Sequence, residues 1–111
     1  MPSLPTSTDP ALAALVAFVR READPARVVL FGSRASGSER PDSDYDLLVV
    51  IDDGADARAT MRRLYARKRG LPVSADFVVA SEADLDRHRA SPGYVYGAAL
   101  RTGDVVYDRD A

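Results

Sequence analysis

The sequence predicts a small α/β (α+β) fold, a mixed central sheet flanked by helices. Three observations predict it. Helical periodicities alternate along the chain with apolar runs of strand length. Gly, Pro and Asp punctuate the junctions between them. The 111 residues suffice for one hydrophobic core and leave little room for a second module.

Taken in order, residues 1–8 are rich in Pro, Ser and Thr and read as a flexible N-terminus, so the single domain spans 9–111. Asp9-Pro10 supplies an N-cap and an N1 proline. Leu12, Leu15, Val16 and Val19 then mark one apolar face of a helix reaching about Glu22. Arg27 to Phe31 reads as a buried strand, and Gly32 to Pro41 as a turn with a short helix. Tyr45 to Ile51 is a second strand whose unbroken apolar run implies cover on both faces. Asp56 to Arg69 forms a second amphipathic helix, with Met61, Leu64 and Tyr65 facing inward and Gly70 at C′. Pro72 to Ala80 is a third strand. Ser81-Glu82-Ala83-Asp84 resembles a capping box that opens a short helix. Ser91-Pro92 starts a helix to Arg101, and Val105 to Tyr107 forms a short last strand.

Fifteen basic residues against 17 acidic ones give a net charge of −2. That balance argues against a dedicated nucleic-acid binder, which shows a basic footprint. The chain has no cysteine, so disulfides and thiolate metal sites are excluded. The first residues lack the basic start and apolar stretch of a signal peptide, and no run approaches the ~18–20 apolar residues of a membrane span. The expectation is a cytoplasmic protein without a membrane partner.

The chemistry concentrates between Gly32 and Asp46. Gly32-Ser33 follows the first strand, and after ten intervening residues Asp44-Tyr45-Asp46 opens the second. Side chains alternate along a strand, so Asp44 and Asp46 share a face and Tyr45 takes the other. Two adjacent carboxylates repel, and a divalent cation held by oxygen ligands removes that conflict. Asp76 is a lone carboxylate in the apolar third strand, where Asp is depleted. If the second and third strands are neighbours, it joins the other two. Gly32 lets the backbone approach a phosphate, Ser33 offers a hydroxyl and an N–H where anions bind, and Arg34 and Arg40 can neutralise remaining charge. Two cations on such a cluster support in-line phosphoryl displacement.

These residues bring the chain to a known family. From about Pro10 to Tyr107 it resembles the minimal nucleotidyltransferases of the DNA polymerase beta superfamily. It is most similar in character to the small antitoxin-type members paired with HEPN-domain ribonuclease toxins. The resemblance rests on Gly32-Ser33, the ten-residue gap, Asp44-x-Asp46 and Asp76. The tail segments Ser91 to Tyr96 and Gly103 to Tyr107 add to it. It implies a nucleotidyltransferase fold and transfer of AMP from ATP to an acceptor with loss of pyrophosphate. Gly32 and Ser33 would contact the triphosphate, Asp44 and Asp46 would bind Mg2+ (two ions), and Asp76 would complete the metal site or act as base. In antitoxin-type relatives the acceptor is a tyrosine of the toxin. A hetero-oligomer with a HEPN toxin is therefore expected.

Other readings stand beside this one. A binding antitoxin could neutralise its partner by occlusion, without catalysis. Transfer to a tRNA 3′ end fits the motif, but the acidic balance and the lack of an RNA-gripping module count against it. Asp42, Asp44 and Asp46 begin like a calcium loop, yet the sixth position is Leu47 instead of Gly and the twelfth is Asp53 instead of Glu. Arg58, Arg62, Arg63, Arg67, Lys68 and Arg69 read as a solvated helix face, or as a contact for an acidic partner or an RNA backbone. His88 reads as a surface residue, and Tyr94 and Tyr96 as packing residues.

Overall fold

The computed structural model describes residues 9–32, 44–71, 73–88 and 103–110. Helix α1 (Pro10–Ala23) starts where the sequence places it. Asp9 Oδ1 accepts hydrogen bonds from the N–H groups of Ala11 and Leu12, and Pro10 occupies the first turn, where its missing N–H costs nothing. The helix ends at Asp24, whose backbone is left-handed at φ 47° and whose N–H donates to the Arg20 carbonyl. Pro25 then forbids continuation.

Strand β1 (Arg27–Phe31) runs antiparallel to β2 (Tyr45–Ile51). Helix α2 (Ala57–Arg67) follows, capped by Asp56 through the Ala59 N–H, and tightens into a 3₁₀ turn over Lys68–Gly70. The expected left-handed Gly70 terminus is not what forms. Lys68 and Gly70 lie in the 3₁₀ turn, and among the described glycines only Gly32 and Gly54 have positive φ. Strand β3 (Ala75–Ser81) starts three residues later than the pattern predicts and pairs parallel with β2 across the α2 crossover. Helix α3 (Glu82–His88) opens on a reciprocal cap. The Ser81 N–H donates to Asp84 Oδ2 at 3.2 Å, and the Asp84 N–H donates to Ser81 Oγ at 3.1 Å. Strand β4 (Asp104–Asp108) pairs antiparallel with β1 across a bulge at Val28/Val29. The sheet is therefore mixed, with strand order β3-β2-β1-β4. The short helix expected within 33–41 and the helix expected at 91–101, with Tyr94 and Tyr96, lie outside the described residues, as do residues 1–8 and the side chain of His88.

The unbroken apolar run of β2 has the predicted explanation. Tyr45, Leu47, Val49 and Ile51 join the main core with Leu15, Phe18 and Val19 of α1 and Leu64 of α2. Leu48 and Val50 face the other way and pack with Val29, Ala80 and Leu85 of α3. Each fully buried side chain of this size contributes about 1.5–3 kcal/mol. Tyr65 departs from the predicted inward set. It is 37% exposed, and it lies against the outer edge of β3, where its hydroxyl accepts from the Phe77 N–H at 3.0 Å and donates to the Phe77 carbonyl at 3.4 Å. No helix among the described residues is long and apolar enough to cross a membrane.

Candidate active site

The parallel register between β2 and β3 sets Asp46 opposite Asp76, and the antiparallel register sets Phe31 opposite Asp46. Both carboxylates fall on the α3 side of the sheet, in line with Leu48 and Val78 and away from the main core. Asp44 precedes β2 by one residue and is exposed, Asp46 is half-buried, and Asp76 is exposed. The three predicted carboxylates thus fall at one end of the sheet, Asp46 on β2, Asp44 just before it, and Asp76 on the parallel neighbour.

Gly32 closes this end. Its φ of 77° belongs to the left-handed region that glycine adopts freely. A Cβ placed there would overlap Asp46 Oδ2 and stand 3.2 Å from its Cγ. The glycine therefore does two things: it turns the chain out of β1, and it makes room for the Asp46 carboxylate, which packs against its Cα. Ser33, Arg34 and Arg40, the other predicted triphosphate contacts, lie outside the described residues, as does Asp42 of the calcium-loop pattern. Asp53, the last position of that pattern, is engaged elsewhere, accepting from the Ala83 N–H at 3.0 Å.

Burial pushes the Asp46 carboxyl above its ordinary range, and the negative charges of Asp76 and Asp44 push it further. A site that gathers like charges in this way favours a counter-cation. Among the described residues no three acidic, histidine or cysteine side chains converge closely enough to hold a metal ion. The donors are an open set of hard carboxylate oxygens, the kind that suits magnesium, which keeps several ligand positions for water and phosphate. By donor chemistry, Asp44, Asp46 and Asp76 are the residues that would hold a divalent cation at this end of the sheet.

Tyr45, which alternation places on the face opposite the carboxylates, has a supporting role that the sequence does not announce. It is buried, and its hydroxyl donates to Asp9 Oδ2 at 2.9 Å. Its backbone N–H donates to the Ser74 carbonyl at 3.0 Å. The residue therefore ties the start of β2 both to the cap of α1 and to the approach of β3. Alternation gives the face of Tyr45, but its partners Asp9 and Ser74 are distant in the chain and carry no local signal.

The family model of the nucleotidyltransferase domain matches residues 12–92. Among solved structures, a protein from Sulfolobus solfataricus described as a nucleotidyltransferase superposes with a TM-score of 0.59 at 22% identity, covering 91% of this chain and 80% of that one. A toxin-antitoxin structure with AMP-PNP superposes with a TM-score of 0.56 at 18% identity, covering 86% and 72%. At these identities the two likenesses speak for the fold. No curated protein matches the chain.

Proposed function

The chain belongs to the nucleotidyltransferase domain family, and from that premise we propose that it moves AMP from ATP onto a tyrosine of a HEPN ribonuclease toxin and so acts as its antitoxin. The observation that carries this reading is the register that pairs Asp46 with Asp76 while Gly32 cradles the Asp46 carboxylate. The fold shared with a toxin-antitoxin structure supports the choice of partner.

In this reading Asp44, Asp46 and Asp76 hold two magnesium ions, which when bound neutralise triphosphate charge and favour departure of pyrophosphate. Gly32 brings backbone close to a phosphate, and Ser33, Arg34 and Arg40 complete the grip on the triphosphate. Asp76 completes the carboxylate set or acts as the base that takes the acceptor's proton, a role its exposure supports. The balance is simple. The tyrosine oxygen forms a bond to the α-phosphorus, the bond from that phosphorus to the bridging oxygen of pyrophosphate breaks, and the phenolic proton passes to a carboxylate. The chain and its toxin form a hetero-oligomer for the transfer.

Intact-mass spectrometry of the co-expressed partner tests the reading. With the wild type, the partner is expected to gain one or more AMP units, and with Asp44→Asn/Asp46→Asn none. A tight complex without any mass change would replace catalysis by occlusion. Labelling of tRNA instead of protein would move the acceptor to a 3′ end.

A further inference from the structure

Six of the 15 basic residues, and none of the 17 acidic ones, fall within residues 57–70, the segment that forms α2 and its 3₁₀ turn. The structure divides these six into two sets. Arg63 donates to the Glu22 carbonyl at 3.4 Å, and Arg67 pairs with the Glu22 carboxylate at 3.5 Å. Lys68 donates to the Ala75 carbonyl at 2.9 Å and sits 4.5 Å from the centre of the Tyr65 ring. Those three fasten α2 to α1 and β3. Arg58, Arg62 and Arg69 are exposed and have no ion-pair or hydrogen-bond partner among the described residues. Arg58, Arg62 and Tyr65 recur at i, i+4 and i+7 as one stripe of α2, and Arg69 follows in the 3₁₀ turn.

A cavity of about 480 Å³ adjoins this stripe, lined by Tyr65, Lys68 and Arg69 together with the apolar Leu71, Val73 and Ala75. Ser74 and Ala75, also in its wall, directly precede Asp76. Through Ser74 and Ala75 the cavity reaches the same end of the sheet as the carboxylates, on the opposite face, the one that α2 covers. A cationic rim beside apolar lining suits acidic side chains interspersed with hydrophobic ones.

We propose that Arg58, Arg62 and Arg69 around Tyr65, with the cavity beside them, form the docking surface for an acidic segment of the protein that carries the acceptor hydroxyl. This rests on the protein-acceptor reading above and names the chemistry of the partner's contact. Charge complementarity selects an acidic occupant, because guanidinium groups pair with carboxylates in planar, two-point contacts. An RNA strand suits the stripe less well. Lys68 covers the Tyr65 ring, Phe77 packs against it at 5.6 Å in an edge-on arrangement, and the hydroxyl is engaged by β3, so the ring is not free to stack a base.

The test uses a fluorescein-labelled twelve-residue peptide of Glu with Leu at every third or fourth position, and a twelve-nucleotide single-stranded RNA of similar charge. Fluorescence anisotropy at low ionic strength is read without nucleotide, so a failed transfer reaction leaves the result untouched. The peptide is expected to bind the wild type and Asp44→Asn/Asp46→Asn alike. Arg58→Glu/Arg62→Glu/Arg69→Glu should weaken it about 10-fold or more, and the neutral Arg62→Gln/Arg69→Gln by a smaller factor, each variant keeping the wild-type circular dichroism. Three results would overturn the proposal: peptide affinity indifferent to both sets of substitutions, RNA bound more tightly than the peptide, or a self-association that the charge reversal dissolves.

Discussion

Asp46 meets three demands at once: it stands near the start of a buried strand, it lies beside two other carboxylates, and it leaves its Oδ2 against Gly32. Its folded carboxyl is raised above the ordinary range by burial and then by Asp76 and Asp44. The sign of the linkage follows. A raised acid favours the folded state while protonated, and that advantage is lost as pH rises through the folded pKa. At neutral pH Asp46 therefore opposes folding, and Asp46→Asn should raise Tm by a few degrees in EDTA, with the gain shrinking in acid. Differential scanning fluorimetry across pH checks it, and an unchanged or lower Tm at neutral pH would refute the electrostatic account. Gly32→Ala should act oppositely. The left-handed backbone and the clash with Asp46 should cost roughly 1–2 kcal/mol, measurable by urea denaturation, and transfer should fall with it.

At the level of elements, the caps do more than end helices. Asp9 satisfies two N–H groups of α1 through one carboxylate oxygen and holds the Tyr45 hydroxyl with the other. Asp9→Ala should cost about 1–2 kcal/mol in denaturant unfolding, more than Tyr45→Phe, which leaves both cap bonds of α1 in place. On the other side of the sheet, Tyr65 closes an edge strand by bonding both backbone groups of Phe77. Tyr65→Phe keeps the ring contact and frees those groups, so the expected outcome is faster thioflavin-positive aggregation at a nearly unchanged fold. These elements also show how far sequence reaches. Period-2 and period-3.6 patterns, with Asp9-Pro10 and Ser81 to Asp84 as caps, specify α1, β1, β2 and the start of α3 closely. The carboxylate pair was legible because alternation is local. Whether Asp76 joins it depends on which strands are neighbours, and that is decided by long-range burial. Tyr65 was placed inward because its spacing matches Leu64 and Met61, but an amphipathic side chain can lie along a strand edge and keep its hydroxyl on polar groups. Gly70 carried the usual signal for a helix end, yet Lys68 reaching for the Ala75 carbonyl accompanies a 3₁₀ finish instead.

For the molecule as a whole, the charge is segregated: one helix holds a large share of the cations, and the carboxylate end of the sheet repels itself. Nucleotide with magnesium should therefore act as a ligand of the folded state. At about 100 times its Kd such a ligand adds about 2.7 kcal/mol, so Tm should rise with Mg·ATP in the wild type and stay fixed in Asp44→Asn/Asp46→Asn. A shift of equal size in both would place the nucleotide elsewhere. The parallel register carries a consequence in time. Asp46 and Asp76 stand 30 positions apart in the chain and meet only when β3 has been synthesised and has crossed over α2 to lie beside β2. Such non-local pairings form slowly compared with helices. A chain emerging from the ribosome shows its Gly32 and Asp46 first, yet lacks the third carboxylate until β3 closes. On the proposed function, competence would arrive only with the folding of β3, and a partner made alongside this chain would stay unmodified until then.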